Sequence, residues 1–155
     1  MAALVDYTAL TEAEGYFNTF PICAATPVDG IKKDFWRKVR LDFSLTNLAT
    51  ADWAKIMVIP AHTYVHEVLV HVLTLDAGVI GFVIGDDPAD GDLTWLATAD
   101  GTAADVTFIT LVADTNGATR GKYYHAAGAL YFSPNGICDT LVVDVYVHCM
   151  TMDPE

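Results

Sequence analysis

The chain has 155 residues, enough for one domain with a full hydrophobic core. It is 53% hydrophobic and only 18% charged, against a usual charged share of about 25%, so part of its apolar surface is expected to meet another subunit. Twenty acidic residues against eight basic ones give a formal net charge of -12, which repels phosphate and anionic lipid at long range and argues against nucleic-acid and membrane partners.

Residues 1–36 are expected to form a mostly irregular N-terminal arm, followed by a β-sandwich domain over residues 37–155. Thr11-Glu12-Ala13-Glu14 matches the start of a helix, while Pro21, Pro27 and Gly30 break any long element. The arm carries Tyr7, Tyr16, Phe17, Phe20, Phe35 and Trp36, too aromatic a set for a disordered tail, so it is expected to pack on its own domain or on a neighbour. No basic segment followed by an apolar run opens the chain, so no secretion signal is expected.

From Val39 the pattern has a period of two: Val39, Leu41, Phe43 and Leu45 alternate with Arg40, Asp42 and Ser44, as in a half-buried strand. A second strand, Lys55 to Ile59, ends at Pro60, which cannot donate to a ladder and marks a corner. Thr63 to Thr74 predicts a long strand with Val65, Leu69 and Leu73 on one face and Tyr64, Val68, Val70 and Val72 on the other. Apolar on both sides, it is expected to be central or intersubunit. Gly78 to Ile84 predicts a further strand leading into an acidic loop, and the stretches around Leu93–Leu96 and Val106–Ala113 predict two more. Gly121–His125 and Ala129–Phe132 flank Ala126-Ala127-Gly128 as a hairpin or bent strand. Thr140 to Met150 closes the chain with Leu141, Val143, Val145, Val147 and Cys149 on one apolar face. Eight or nine strands with short turns and almost no helix predict an all-β fold, a jelly-roll-type sandwich of about eight strands.

Short apolar runs such as Ile56–Ala61 fall well below the roughly 20 residues that span a bilayer, so a soluble protein is expected. Cys23, Cys138 and Cys149 have no close pair, and reduced, partly buried thiols suit a cytoplasmic site of synthesis.

The chemistry-bearing patterns argue against an enzyme. His66-Glu67-Val68-Leu69-Val70-His71 has one residue too many between Glu67 and His71 for the zinc-protease helix, and a strand is expected to send His66 and His71 to opposite faces, where they could not share one ion. The strand histidines are read as surface or subunit-contact residues, with no metal and no cofactor expected. Asp86, Asp87, Asp90 and Asp92 gather oxygen ligands, but Pro88 and Ala97 occupy positions where an EF-hand needs ligands, and a solvated turn is the plainer reading. The segment before Lys122 lacks the first glycine of a phosphate loop, with Asn116 in its place, and Tyr123 replaces its Ser or Thr. Trp36, Trp53, Trp95, Tyr123 and Tyr124 offer material for a sugar-stacking platform, although aromatics of this size more often anchor cores and interfaces.

Ile56-Met57-Val58-Ile59-Pro60-Ala61-His62-Thr63-Tyr64-Val65, Gly85-Asp86-Asp87-Pro88-Ala89-Asp90-Gly91, Gly121-Lys122-Tyr123-Tyr124 and the valine-rich strand after Asp139 together resemble the jelly-roll cement or decoration proteins of tailed bacteriophages. The resemblance covers residues 39–150. It implies a virion protein made in the host cytoplasm that binds the capsid exterior as a dimer or trimer, contacts the major capsid protein and stabilises the head. The alternative is a tail, fibre or baseplate sandwich that binds host carbohydrate. The basic cluster Lys32, Lys33, Arg37, Lys38 and Arg40, with the aromatics Phe20, Phe35 and Trp36, supplies the candidate partner-binding residues.

Overall fold

The computed structural model of the chain describes residues 4–6, 20–21, 31–50, 52–79, 81–86, 94–99, 101–102, 107–111 and 121–152. These form eleven strands: β1 (Leu4–Asp6), β2 (Phe20–Pro21), β3 (Ile31–Asp42), β4 (Trp53–Ile59), β5 (Thr63–Thr74), β6 (Phe82–Gly85), β7 (Thr94–Ala99), β8 (Thr107–Leu111), β9 (Lys122–Tyr124), β10 (Gly128–Pro134) and β11 (Val142–Met152). One sheet has the order β1-β4-β10-β6-β7 and the other β2-β3-β11-β5-β8, with β9 also paired to β5. The helix signal at Thr11–Glu14, the turn at Asp114–Gly117 and Cys23 lie outside the described residues.

With β1, β2 and β9 set aside, the remaining eight strands renumber in chain order so that the two sheets read 2-7-4-5 and 1-8-3-6. The antiparallel pairs β3–β11, β4–β10, β5–β8 and β6–β7 are nested one inside another, as in a long hairpin rolled into two sheets. This is the jelly roll that the alternating strands and short turns predict. β3 begins at Ile31, so Phe35 and Trp36 lie on a strand continuous with Val39 and Leu41.

The core lies between the sheets. Val39, Leu41 and Phe43 from the β3 segment meet Val143, Val145, Val147 and Cys149 of β11 and Val65, Val68, Val70 and Val72 of β5, all buried. At its centre Phe132 stacks on Phe82 with ring centroids 5.0 Å apart and on Phe43 at 4.9 Å, joining both sheets through one ring. Each such pair adds about 0.5–1.5 kcal/mol beyond its area. Cys138 and Cys149 are buried free thiols. Burial drives both thiol pKa values up, to about 12 at Cys149, so neither is poised as a nucleophile.

Three sequence expectations are corrected. Val65 shares the core face with Val68, Val70 and Val72, because β5 contains a β-bulge. His148 pairs with Glu67 and Cys149 with Val65, so His66 is an extra residue opposite β11 and the alternation resets across it. His66 and His71 therefore lie on the same outer face. Second, β9 and β10 form no hairpin: β9 pairs with β5 in one sheet, while β10 joins β4 and β6 in the other. Third, β6 starts at Phe82 rather than Gly78. Ala77 and Gly78 form a turn beside buried Asp76, whose carboxylate accepts from the backbone N–H groups of Gly78, Asp139 and Thr140 at 2.8, 2.9 and 3.0 Å. Burial alone pushes this carboxyl pKa up, and the three donors outweigh it and hold it below the usual range.

Replacing Phe132 by Ala removes the ring that both Phe43 and Phe82 pack on. Urea unfolding should show a loss of about 3–5 kcal/mol with little change in slope.

Candidate functional site

The outer face of the six-stranded sheet carries the residues with chemical potential. The even-numbered residues from Asp34 to Arg40 of β3 and from Asp144 to Met150 of β11 point away from the core, as do Tyr64, His66 and Glu67 of β5. Asp34, Trp36, Lys38 and Arg40 therefore sit beside Asp144, Tyr146 and His148 across the β3–β11 ladder. Trp36 stacks flat on His148, with centroids 4.9 Å apart and planes 10° from parallel. His148 meets the His66 ring edge-on at 5.7 Å, and the Tyr64 ring lies 6.4 Å from that of His66.

Asp144 is 2% exposed although it is on the outer face, because basic side chains cover it. Arg40 grips it in a two-pronged contact, Nε to Oδ1 at 2.7 Å and Nη2 to Oδ2 at 2.8 Å, and Lys38 Nζ approaches Oδ2 at 2.6 Å. Burial works against ionisation of this carboxyl, but the two cations prevail and its pKa is lowered; its bond to Asp144 raises that of Arg40. Lys38 also lies over the Tyr146 ring at 5.3 Å. The basic cluster is thus only partly free for a partner. Arg37 donates to the Val58 carbonyl at 2.7 Å, and Phe35 packs on the protein's own core. Phe20 pairs by its backbone with Lys38, and Lys33 with Thr151. Lys32 lies on the same strand, and the side chains of Phe20, Lys32 and Lys33 lie outside the described residues.

The histidine cluster is the feature that sequence spacing concealed. His66, Glu67 and His148 each bring one ligand atom to within 4.8 Å of the others. His148 Nε2 lies 2.5 Å from Asp34 Oδ1, and His148 Nδ1 lies 3.5 Å from Glu67 Oε1. His148 belongs to a strand that joins β5 only through the sheet order, so no local motif contains the set. The detectable signal was the pair His66-Glu67 at a break in apolar alternation.

At the end of β6, Asp86 is buried rather than solvated. Its Oδ2 accepts from Lys122 Nζ and Tyr124 OH, both at 2.5 Å. Burial first, then the Asp86 contact, drives the Tyr124 hydroxyl pKa far above its ordinary value, so it stays a donor. Asp87, Asp90 and Asp92 lie outside the described residues. Of the aromatics considered for a sugar platform, Trp36 and Tyr123 lie in the six-stranded sheet, Trp53 lies in the five-stranded sheet and Tyr124 is buried, while the side chain of Trp95 lies outside the described residues.

No protein-family model matches the chain, and neither does any curated protein. Among solved structures the chain is similar to one in the capsid of Ralstonia phage GP4, with 16% identity and a TM-score of 0.60, covering 98% of this chain and 100% of that one. It is also similar to a chain of the cyanophage Pam1 capsid asymmetric unit, with 16% identity and a TM-score of 0.52 over 82% and 91% of the two chains. At such identity the likeness is one of fold. The resemblance to phage capsid components read from the residues has its counterpart in the architecture.

Asp144→Ala tests the clamp. Lys38 and Arg40 are open enough to rehydrate when the carboxylate is removed, so the cost should be about 1–2 kcal/mol at neutral pH, less than for a fully buried pair. Because the folded-state pKa of Asp144 is lowered, its contribution is present above the unfolded value near about 4 and is lost as pH falls through the folded value. Wild type and variant should therefore begin to converge in stability as pH falls below about 4, and meet only below the lowered folded-state value, in denaturant melts.

Proposed function

We propose that the chain is a phage virion structural protein that binds the outer capsid surface as a homo-oligomer and stabilises the head as a cement or decoration protein. The observation that carries this reading is the match along nearly the whole length of both chains to a component of the phage GP4 capsid structure. The absence of a local catalytic motif in the sequence accords with a non-enzymatic role, as do the buried, inert thiols.

The mechanism is one of repeated contact. A rigid sandwich pays little conformational entropy on docking, and contacts repeated by symmetry act at high effective concentration. Trp36 and Tyr146, on the outer face beside the Lys38–Asp144–Arg40 clamp, are the contact anchors in this reading, with major capsid protein and neighbouring copies as partners. Aromatic anchors next to fixed charges are the residues that dominate interface energies. A strong acidic excess keeps a densely covered particle soluble. The tail-fibre alternative is less well supported, since both structural likenesses are to phage capsid structures.

Purified protein added to expanded heads that lack it should bind at saturable, symmetric sites and raise the temperature at which heads rupture. Trp36→Ala should weaken that binding by about tenfold or more while the free protein stays folded. Heads that take up no protein at any concentration would rule the reading out.

A further inference from the structure

We propose that the bulge in β5 builds a binding site for one divalent transition-metal cation, held by His66, Glu67 and His148. Three observations converge on it. The first is the tautomer of His148. Asp34 Oδ1 is an acceptor 2.5 Å from Nε2, which places a proton there, and in the neutral tautomer this leaves a lone pair on Nδ1. Nδ1 lies 3.5 Å from Glu67 Oε1, and a cation between them would satisfy both.

The second is orphaned polarity. His148 Nδ1 and His66 Nδ1 are both buried and have no hydrogen-bond partner. A buried nitrogen left without a partner costs free energy, and a group able to satisfy two inward imidazole nitrogens and a carboxylate oxygen together is a cation. The third is support around the ligands. The Asp34–His148 contact is the carboxylate–histidine arrangement that orients a metal-bound imidazole and raises its basicity. Trp36 stacked on His148 holds the ring plane. The bulge sets His66 and Glu67 on one side opposite His148, on backbone fixed by ladders to β11 on one edge and to β9 and β8 on the other.

The donor set selects the ion. Two imidazoles and one carboxylate suit Zn²⁺ and its neighbours Co²⁺ and Ni²⁺, whereas Ca²⁺ and Mg²⁺ require mostly oxygen ligands. Ligands at about 2.0–2.1 Å from a tetrahedral zinc lie about 3.3 Å from each other, so atoms within 4.8 Å can close on the ion by side-chain rotation while the sheet stays in place. Three protein ligands leave a fourth position open for water.

The test uses the full-length protein after treatment with a chelator. Calorimetric titration with Zn²⁺ should give one ion per chain and a melting temperature that rises with zinc concentration. Co²⁺ should give the intense visible bands of a tetrahedral site. His66→Ala and His148→Ala should each weaken zinc binding at least tenfold. Asp34→Asn, a milder change at a half-exposed residue, should weaken it by about 10–100-fold without unfolding the protein. His125→Ala, which alters an exposed histidine beside Tyr123, should leave binding unchanged. Failure of Zn²⁺, Co²⁺ and Ni²⁺ alike to bind at millimolar concentration would overturn the proposal, as would zinc binding that survives all three variants of His66, His148 and Asp34. Either result would assign the space between the rings to a proton or a water. These readouts come from the free protein and do not depend on its binding to heads.

Discussion

One extra residue in β5 reconciles two demands that an unbroken strand cannot meet together. The segment before His66 presents Thr63 and Val65 to the core, and the segment after it presents Val68, Val70 and Val72; their alternations are out of phase by one residue. Without the bulge, one of these apolar sets would turn to the outer face, a loss of about 1.5–3 kcal/mol for each side chain exposed. The bulge keeps both sets inside and places His66 and Glu67 together outside. β4 uses the same device: Leu130 pairs with Met57 and Tyr131 with Lys55, so Ile56 is the extra residue and Ile56 and Met57 are both buried. Pro60, Ala61 and His62 turn the corner between these two strands, and His62 adopts the left-handed conformation there with a φ of 56°. Bulges add local twist, which helps a strand pair separate into two sheets at such a corner.

Charge is distributed by the same economy. The overall balance suggests a surface with few cations, and part of that small basic complement is committed internally: Lys38 and Arg40 at Asp144, and Lys122 at Asp86. Each pair encloses a carboxylate that would otherwise stand desolvated and alone. Such pairs need not stabilise the fold more than apolar residues would, but removing one partner is costly and the geometry they impose is specific. Where the sequence reads as a positive stripe, the described part of β3 thus sets Lys38 and Arg40 in a clamp on one carboxylate, with Trp36 beside it.

Most of the strands after Val39 were legible in the residues because alternation, Pro60 and the turn residues are local signals. The core face of β11 was readable residue by residue, since Leu141, Val143, Val145, Val147 and Cys149 keep strict phase. β5 was not, because a bulge leaves no composition of its own; His66-Glu67 looks like any polar pair until the register to His148 and Cys149 is known. The histidine cluster and the Asp144 clamp escaped for a related reason. Their members lie on β3, β5 and β11, strands far apart in sequence that only the rolled topology makes neighbours. Asp76 escaped because its three partners are backbone amides, to which side-chain identity gives no clue.

That topology also bears on lifetime. β3 and β11 lie near opposite ends of the described chain and pair along almost their whole lengths in the middle of a sheet. Contacts of such long sequence separation form only after most of the chain has been ordered, so they slow folding. Interactions completed late in folding act chiefly by slowing unfolding, since they must be broken early on the way out. A sandwich closed by strands so far apart in sequence is therefore suited to persisting once folded. The Phe43–Phe132–Phe82 stack reinforces that closure, because it ties the β3 segment in one sheet to β10 and β6 in the other. Separating the sheets must break the stack, so the packing of the two layers and the closing ladder support one another.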